Sequence, residues 1–361
     1  MSAKLVEEIA NAVLYEGYLL YPYRPSAVKN RQRWNFGVVY PKAYCETPAG
    51  ADSWLMRTEC LIRGSASGAV DVKVLFLQAV SRQLGRPTGT VEPDNSEPDL
   101  EIVESLEIGK KIFQSWQEAI ERDVILPPAR LADLLLAPVS LDFVAAGGRE
   151  LEPVNDDSGS IAAYIVRTRE PISGNVELRA EKRGADLFKL TVVISNLTPL
   201  ENARSMPRED VLPASLLSAH TILSVTGGEF VSLMDPPSEL RQIASECKNA
   251  GTWPVLVGED GCKSMMLSSP IILYDYPQIA PESAGDLFDA TEIDEILALR
   301  ILTLSDDEKR EIRQTDERAR EVLERTETMP MEQFLKLHGA LRGMRPAAGG
   351  AFDTPAREDD R

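Results

Sequence analysis

Trp54–Val80, WLMRTECLIRGSASGAVDVKVLFLQAV, decides the fold. From Trp54 to Arg63, Trp54, Met56, Thr58, Cys60 and Ile62 alternate with Leu55, Arg57, Glu59 and Leu61. From Val70 the chain alternates Val70, Val72, Val74 and Phe76, then turns wholly apolar. A period of two is the mark of a strand with one buried face. Between the two runs, Gly64–Gly68 (Gly-Ser-Ala-Ser-Gly) reads as a hairpin loop. The expectation is an antiparallel meander with one face on a core.

Upstream, Ala3–Leu14 has helical spacing, with Leu5, Ile9 and Val13 on one face and Val6, Ala10 and Leu14 beside it. Ala12–Glu46 then gathers Tyr15, Tyr18, Tyr21, Tyr23, Trp34, Tyr40 and Tyr44 around the cations Arg24, Lys29, Arg31 and Arg33. Pro22 and Pro25 forbid a helix interior, so this block reads as an extended arm entering a strand near Trp34–Tyr40.

Downstream, Leu84–Pro98 reads as a loop, Leu100–Leu106 as a strand, and Ile112–Ile120 as a helix through Ile112, Phe113, Trp116, Ala119 and Ile120. Pro127-Pro128 introduces a short helix over Ala129–Leu136. Ala162–Arg167, Val176–Glu181, Leu187–Ser195 and Ile222–Thr226 read as strands broken by turn signals, the pattern of a sandwich. A short helix follows near Glu239–Cys247, then a strand pair, Pro254–Val257 and Met265–Tyr274. The last third reads as helical: Thr291–Leu302, then the capping box Ser305–Glu308 opening Asp306–Arg325, then Met331–Leu341. The fold class expected is α+β, with an antiparallel β-rich N-terminal region (1–150), a β-sandwich-like middle (151–285) and a helical C-terminal segment (286–343). Residues 344–361 are rich in Gly, Ala, Pro and charge and are expected to be disordered.

The 361 residues carry a formal net charge of −18. Such a surface repels nucleic-acid phosphate as a whole, so no nucleic-acid partner is expected. Four cysteines without a CxxC make no disulfide framework. Glu7 and Glu8 sit where a signal peptide needs a basic and then an apolar run, and no apolar stretch reaches the ~20 residues of a membrane span. The expected setting is the cytoplasm.

No complete catalytic or cofactor motif stands out, and no cofactor is expected. Val255–Ser264 resembles a phosphate loop, but only two residues separate Gly258 from Gly261 and Cys262 precedes Lys263, so a hairpin turn fits better. Cys45 and Cys60, and Cys247 and Cys262, are too widely spaced to supply paired zinc ligands, and no metal is expected. Ser218 and His220 would share one face of a strand, without a nucleophile-elbow pattern. Asp286, Asp289, Glu292, Asp294 and Glu295 crowd a helix start, as the helix dipole favours. Arginines among aromatics make interface anchors. This marks Tyr21, Tyr23, Arg24, Lys29, Arg31, Arg33 and Trp34 as candidate partner-binding residues. The alternative is an arm that packs back on its own domain.

Four runs resemble a family of uncharacterised bacterial proteins associated with gene clusters of nickel-iron uptake hydrogenases. They are YEGYLLYPYRPSAVKNRQRW (Tyr15–Trp34), GGEFVSLMDPP (Gly227–Pro237), GTWPVLVG (Gly251–Gly258) and LSSPIILYDYPQIAPESAGDLFDATEIDEILALR (Leu267–Arg300). The resemblance carries no catalytic residues. It implies an accessory role, with a hydrogenase subunit or a maturation factor as the protein partner. An enzyme with a cleft near His220, Asp235 and the Cys262 loop is the alternative, as is a stoichiometric subunit of an oligomeric complex.

Overall fold

A computed structural model describes residues 2–18, 22–24, 30, 34, 36–46, 52–89, 98–109, 111–279, 294–315, 317–330 and 332. Its centre is one strand, β1 (Leu55–Pro87), 33 residues long. The other strands are β2 (Leu100–Val103), β3 (Ser105–Ile108), β4 (Lys111–Gln114), β5 (Trp116–Ile125), β6 (Ala129–Arg130), β7 (Val139–Ala145), β8 (Gly148–Asn155), β9 (Ile161–Arg169), β10 (Ile172–Lys182), β11 (Leu187–Asn196), β12 (Leu217–Val231), β13 (Trp253–Leu256) and β14 (Met265–Ser269). They run β13-β14-β12-β1-β11-β10-β7. Strands β2, β5, β6 and β9 also pair with β1, β8 pairs with β9, and β3–β4 form a separate hairpin. All the ladders are antiparallel. The class is α+β.

The chain does not turn back at Gly64–Gly68. β1 passes straight through, and its register against β12 shifts between Gly64 and Ala69. The glycines serve a close approach of two backbones rather than a loop. A Cβ on Gly64 would lie 2.6 Å from the Gly228 Cα, and one on Gly68 would lie 2.9 Å from the Thr226 carbonyl oxygen. Here the strand kinks and changes neighbours, as strands do at bulges and sheet corners. On one edge of β1, Leu55–Arg63 pairs with β11 and Lys73–Arg82 pairs with β5, while β12 spans the kink on the other edge. The sheet closes over itself, so that Phe76 of β1 meets Phe143 of β7 with ring centroids 5.8 Å apart.

Two cores result. The even face of β1 (Met56, Cys60, Ile62, Val70, Val72, Val74, Phe76) packs inside the fold with Val176, Leu178, Leu190 and Val192. The odd face (Leu75, Leu77, Ala79) packs outward under helices and the aromatic block. A strand covered on both faces loses its alternation, which is why Leu75–Val80 is apolar apart from Gln78. The covering helices are α1 (Ser2–Leu14), α6 (Asp294–Leu302), α7 (Asp306–Thr315) and α8 (Glu317–Glu327). The short α2 (Lys42–Cys45), α3 (Leu131–Leu134), α4 (Arg208–Val211) and α5 (Arg241–Ser245) sit in the connections. Leu297, Ile301, Ile312, Val322 and Leu323 are all buried, each contributing about 1.5–3 kcal/mol.

Several elements fall as expected: the first helix, strands β9–β12, the β13–β14 hairpin across Gly258–Gly261, and α6. In the capping box, the Ser305 hydroxyl accepts from Glu308 N (3.3 Å) and the Glu308 carboxylate accepts from Ser305 N (2.9 Å). Others differ. Ile112–Ile120 falls in two strands rather than a helix: Ile112 and Phe113 of β4 pair with β3, and ten residues of β5 find backbone partners on β1, from Lys73↔Ile125 to Arg82↔Trp116. Leu84–Pro87 continues β1, paired with β2 and β9. Trp34–Tyr40 forms no strand and pairs only through the bridge Val39↔Leu216. The charged stretch after Ser305 is two helices rather than one. The boundary expected at residue 150 lies inside β8, and both sides of it join one sheet through β1. Met331–Leu341 (Glu332 apart) and the tail 344–361 lie outside the described residues, as do Asp286, Asp289 and Glu292.

Candidate functional site

The aromatic block turns inward. Tyr15, Tyr18, Tyr23, Trp34 and Tyr40 are all buried in the outer core. Tyr18 meets Tyr15 and Trp34 edge-on, with both centroid distances 5.4 Å. Their polar atoms are matched: Trp34 Nε1 donates to Gln117 Oε1 (2.8 Å) and the Tyr15 hydroxyl to Glu121 Oε1 (2.8 Å). Both acceptors stand on β5, so the block is pinned to the sheet. Arg208 of α4 donates through Nε to the Tyr40 hydroxyl (2.6 Å) and through Nη2 to the Trp34 carbonyl (3.1 Å). Burial pushes the Tyr40 hydroxyl up to about 12, so it stays neutral and free to accept. Arg318 of α8 lies 3.8 Å from the Tyr15 ring centroid.

The partner surface expected of this block is therefore largely spent within the chain. Tyr23 and Trp34 are 1% and 2% exposed, and both hold a left-handed backbone at φ 58° and 63°. Bulky residues adopt that region only where packing imposes it. Arg24 pairs with Glu308 (3.1 Å) and Glu311 (3.7 Å) of α7, and its carbonyl accepts from Asn30 Nδ2. Tyr21, Lys29, Arg31 and Arg33 lie outside the described residues.

His220 is fully buried. Its Nδ1 donates to the Ser218 carbonyl (2.7 Å), which leaves Nε2 to accept from Ser269 Oγ (3.2 Å). Ser269 Oγ in turn accepts from Ile271 N (3.1 Å). Burial lowers the imidazole pKa to about 4. A neutral ring sealed from solvent holds a sheet corner and has no route to a substrate. Of its expected companions, Asp235 is exposed on a turn where its N–H donates to Ser232 Oγ, and Cys262 sits in the β13–β14 turn. Burial pushes the Cys60 thiol up, and those of Cys45 and Cys247 to about 11, which keeps them protonated at neutral pH. Among the described residues no three His, Cys, Asp or Glu side chains converge to hold a metal ion. No helix among them is long and apolar enough to cross a membrane.

A concave surface lies elsewhere. Past Ala79, the odd face of β1 runs out from under its helical cover, and Ser81 and Gln83 become the floor of a groove of about 780 Å³. Thr168 of β9 and Glu170 and Pro171 of the β9–β10 turn line it, with Arg149 of β8. The β11–β12 connection forms the other wall: Thr198, Pro199, Leu200, Met206, Asp210, Pro213 and Ala214. A polar crevice beside Glu7 and Lys73 is less than half that size, at about 320 Å³. Hydrogen bonds tie the groove walls to the rest of the fold. Asn196 is buried and its Nδ2 donates to the carbonyls of Val39 and Ala214 (2.9 Å each). Thr198 Oγ1 donates to the Ser173 carbonyl (3.2 Å), and Gln78 Nε2 donates to the Glu170 carbonyl (2.7 Å). The sequence carries no local signal for this site, because its lining comes from four separated segments. No protein-family model, curated protein or solved structure matches the chain.

Proposed function

We propose that this chain is a non-enzymatic accessory protein that binds another polypeptide. The groove between β1, β9 and the β11–β12 connection carries the reading. Its volume, about 780 Å³, lies in the range of clefts that bury a ligand. Its walls set Pro171, Pro199, Leu200, Met206 and Pro213 among polar and charged residues, and its lining has no cysteine or histidine. Such a lining offers shape and apolar contact, with the carboxylates of Glu170 and Asp210 beside it. Hydrogen bonds behind both walls support a preformed surface, which lowers the entropic cost of binding.

The resemblance of Tyr15–Trp34, Gly227–Pro237, Gly251–Gly258 and Leu267–Arg300 to the hydrogenase-associated family makes a nickel-iron hydrogenase subunit or a maturation factor the partner to test first. The full-length tagged chain is used to capture proteins from the native host, and the main captured polypeptide is purified and titrated calorimetrically. A saturable, stoichiometric complex is the expected result. Recovery of the chain alone, at near-native concentration and low salt, would overturn the reading.

A further inference from the structure

The charge of the groove points to the chemistry of its occupant. Glu170 and Asp210 stand on opposite walls, both exposed. Neither carboxylate has a cation within 4.0 Å among the described residues, unlike Glu150, which pairs with Arg169 close to the same groove. Arg149, the cation on the lining, is engaged in an interaction of its own. Two unpaired carboxylates therefore flank an apolar trough, in a chain of net charge −18. A long-range field of that sign concentrates cations at the site, and carboxylates at a rim set which partner docks.

We propose that the groove receives an extended segment of the partner carrying a lysine or arginine among apolar residues. The apolar side chains lie along Pro199, Leu200 and Met206, and the cation reaches Glu170 or Asp210. This rests on the protein-binding reading and adds the docking surface and the character of the segment it takes.

The test uses the full chain and three fluorescein-labelled nine-residue peptides. One alternates lysine with leucine around a central proline, a second has glutamate for each lysine, and a third has glutamine. The lysine peptide should bind the wild type tightest. Glu170→Lys with Asp210→Lys should weaken it roughly tenfold or more, from two exposed charge contacts reversed, and should invert the preference toward the glutamate peptide. Glu170→Gln with Asp210→Asn should fall between. Both positions are exposed, so urea midpoints should match the wild type. Equal affinities across the three peptides, or no response to charge reversal, would overturn the inference. The captured host partner separates the two readings. If it binds the reversed variant as tightly as the wild type, the groove assignment fails and the protein-binding reading stands. If the wild type binds neither partner nor peptides, the protein-binding reading fails as well.

Discussion

The aromatic block and the groove are opposites. The block is conspicuous in composition: tyrosines, tryptophan and arginines within one stretch. In three dimensions its described aromatics are largely spent on the chain itself, pinned to β5, α4 and α8. The groove has no compositional mark, and its lining comes from four segments spread from Ser81 to Ala214, yet its carboxylates are unspent. Arginine and aromatic side chains are strong binders wherever they sit, so a cluster of them in sequence does not tell an internal interface from an external one. The number of partners already satisfied inside the chain does.

The comparison breaks most easily at Trp34. If the block is a keystone, Trp34→Ala should lose about 3–5 kcal/mol, the usual cost of a buried large aromatic, read as a fall in urea midpoint. A stable variant that loses only partner binding would restore the block as a surface. Next is the kink in β1. Gly64→Ala places a methyl 2.6 Å from the Gly228 Cα, and a clash between two backbones should cost about 1–3 kcal/mol. An unchanged thermal midpoint would mean that the two strands are not held this close.

His220 sharpens the contrast through pH. Its pKa is depressed in the fold, from 6.5 to about 4, by burial. The stability it holds is complete above pH 6.5. It is lost as pH falls toward 4, because the unfolded chain takes up the proton first. That loss is about 2–3 kcal/mol at pH 4.5. His220→Gln should flatten this part of the pH–stability curve, and a curve parallel to the wild type would assign the acid loss to carboxylates instead. Arg24 is a smaller lever. Its pairs with Glu308 and Glu311 are partly exposed, so Arg24→Gln should cost about 1 kcal/mol or less, and less still at 1 M salt. Smallest of all is Glu170→Lys, which should leave stability within about 0.5 kcal/mol while altering peptide preference.

Local chemistry was enough for part of this protein. The helix of Ser2–Leu14, the capping box at Ser305 and the hairpin at Gly258–Gly261 depend on neighbours a few residues away, and the strands from Ile161 to Val231 carry their alternation and turn residues locally although several of them pair with β1. Periodicity and turn residues therefore report them. Tertiary structure decided the rest. Glycines at 64 and 68 suit either a loop or a close crossing of strands, and only the presence of Gly227 and Gly228 opposite selects the crossing. The spacing of Trp116 and Ala119 suits a helix until β1 offers ten backbone partners. Whether Trp34 faces in or out turns on Gln117 and Arg208, 83 and 174 positions away. Backbone hydrogen bonds and buried area come from whichever segments the fold brings together. Contacts at such separations leave no period in the sequence, and both the keystone and the groove are made of them.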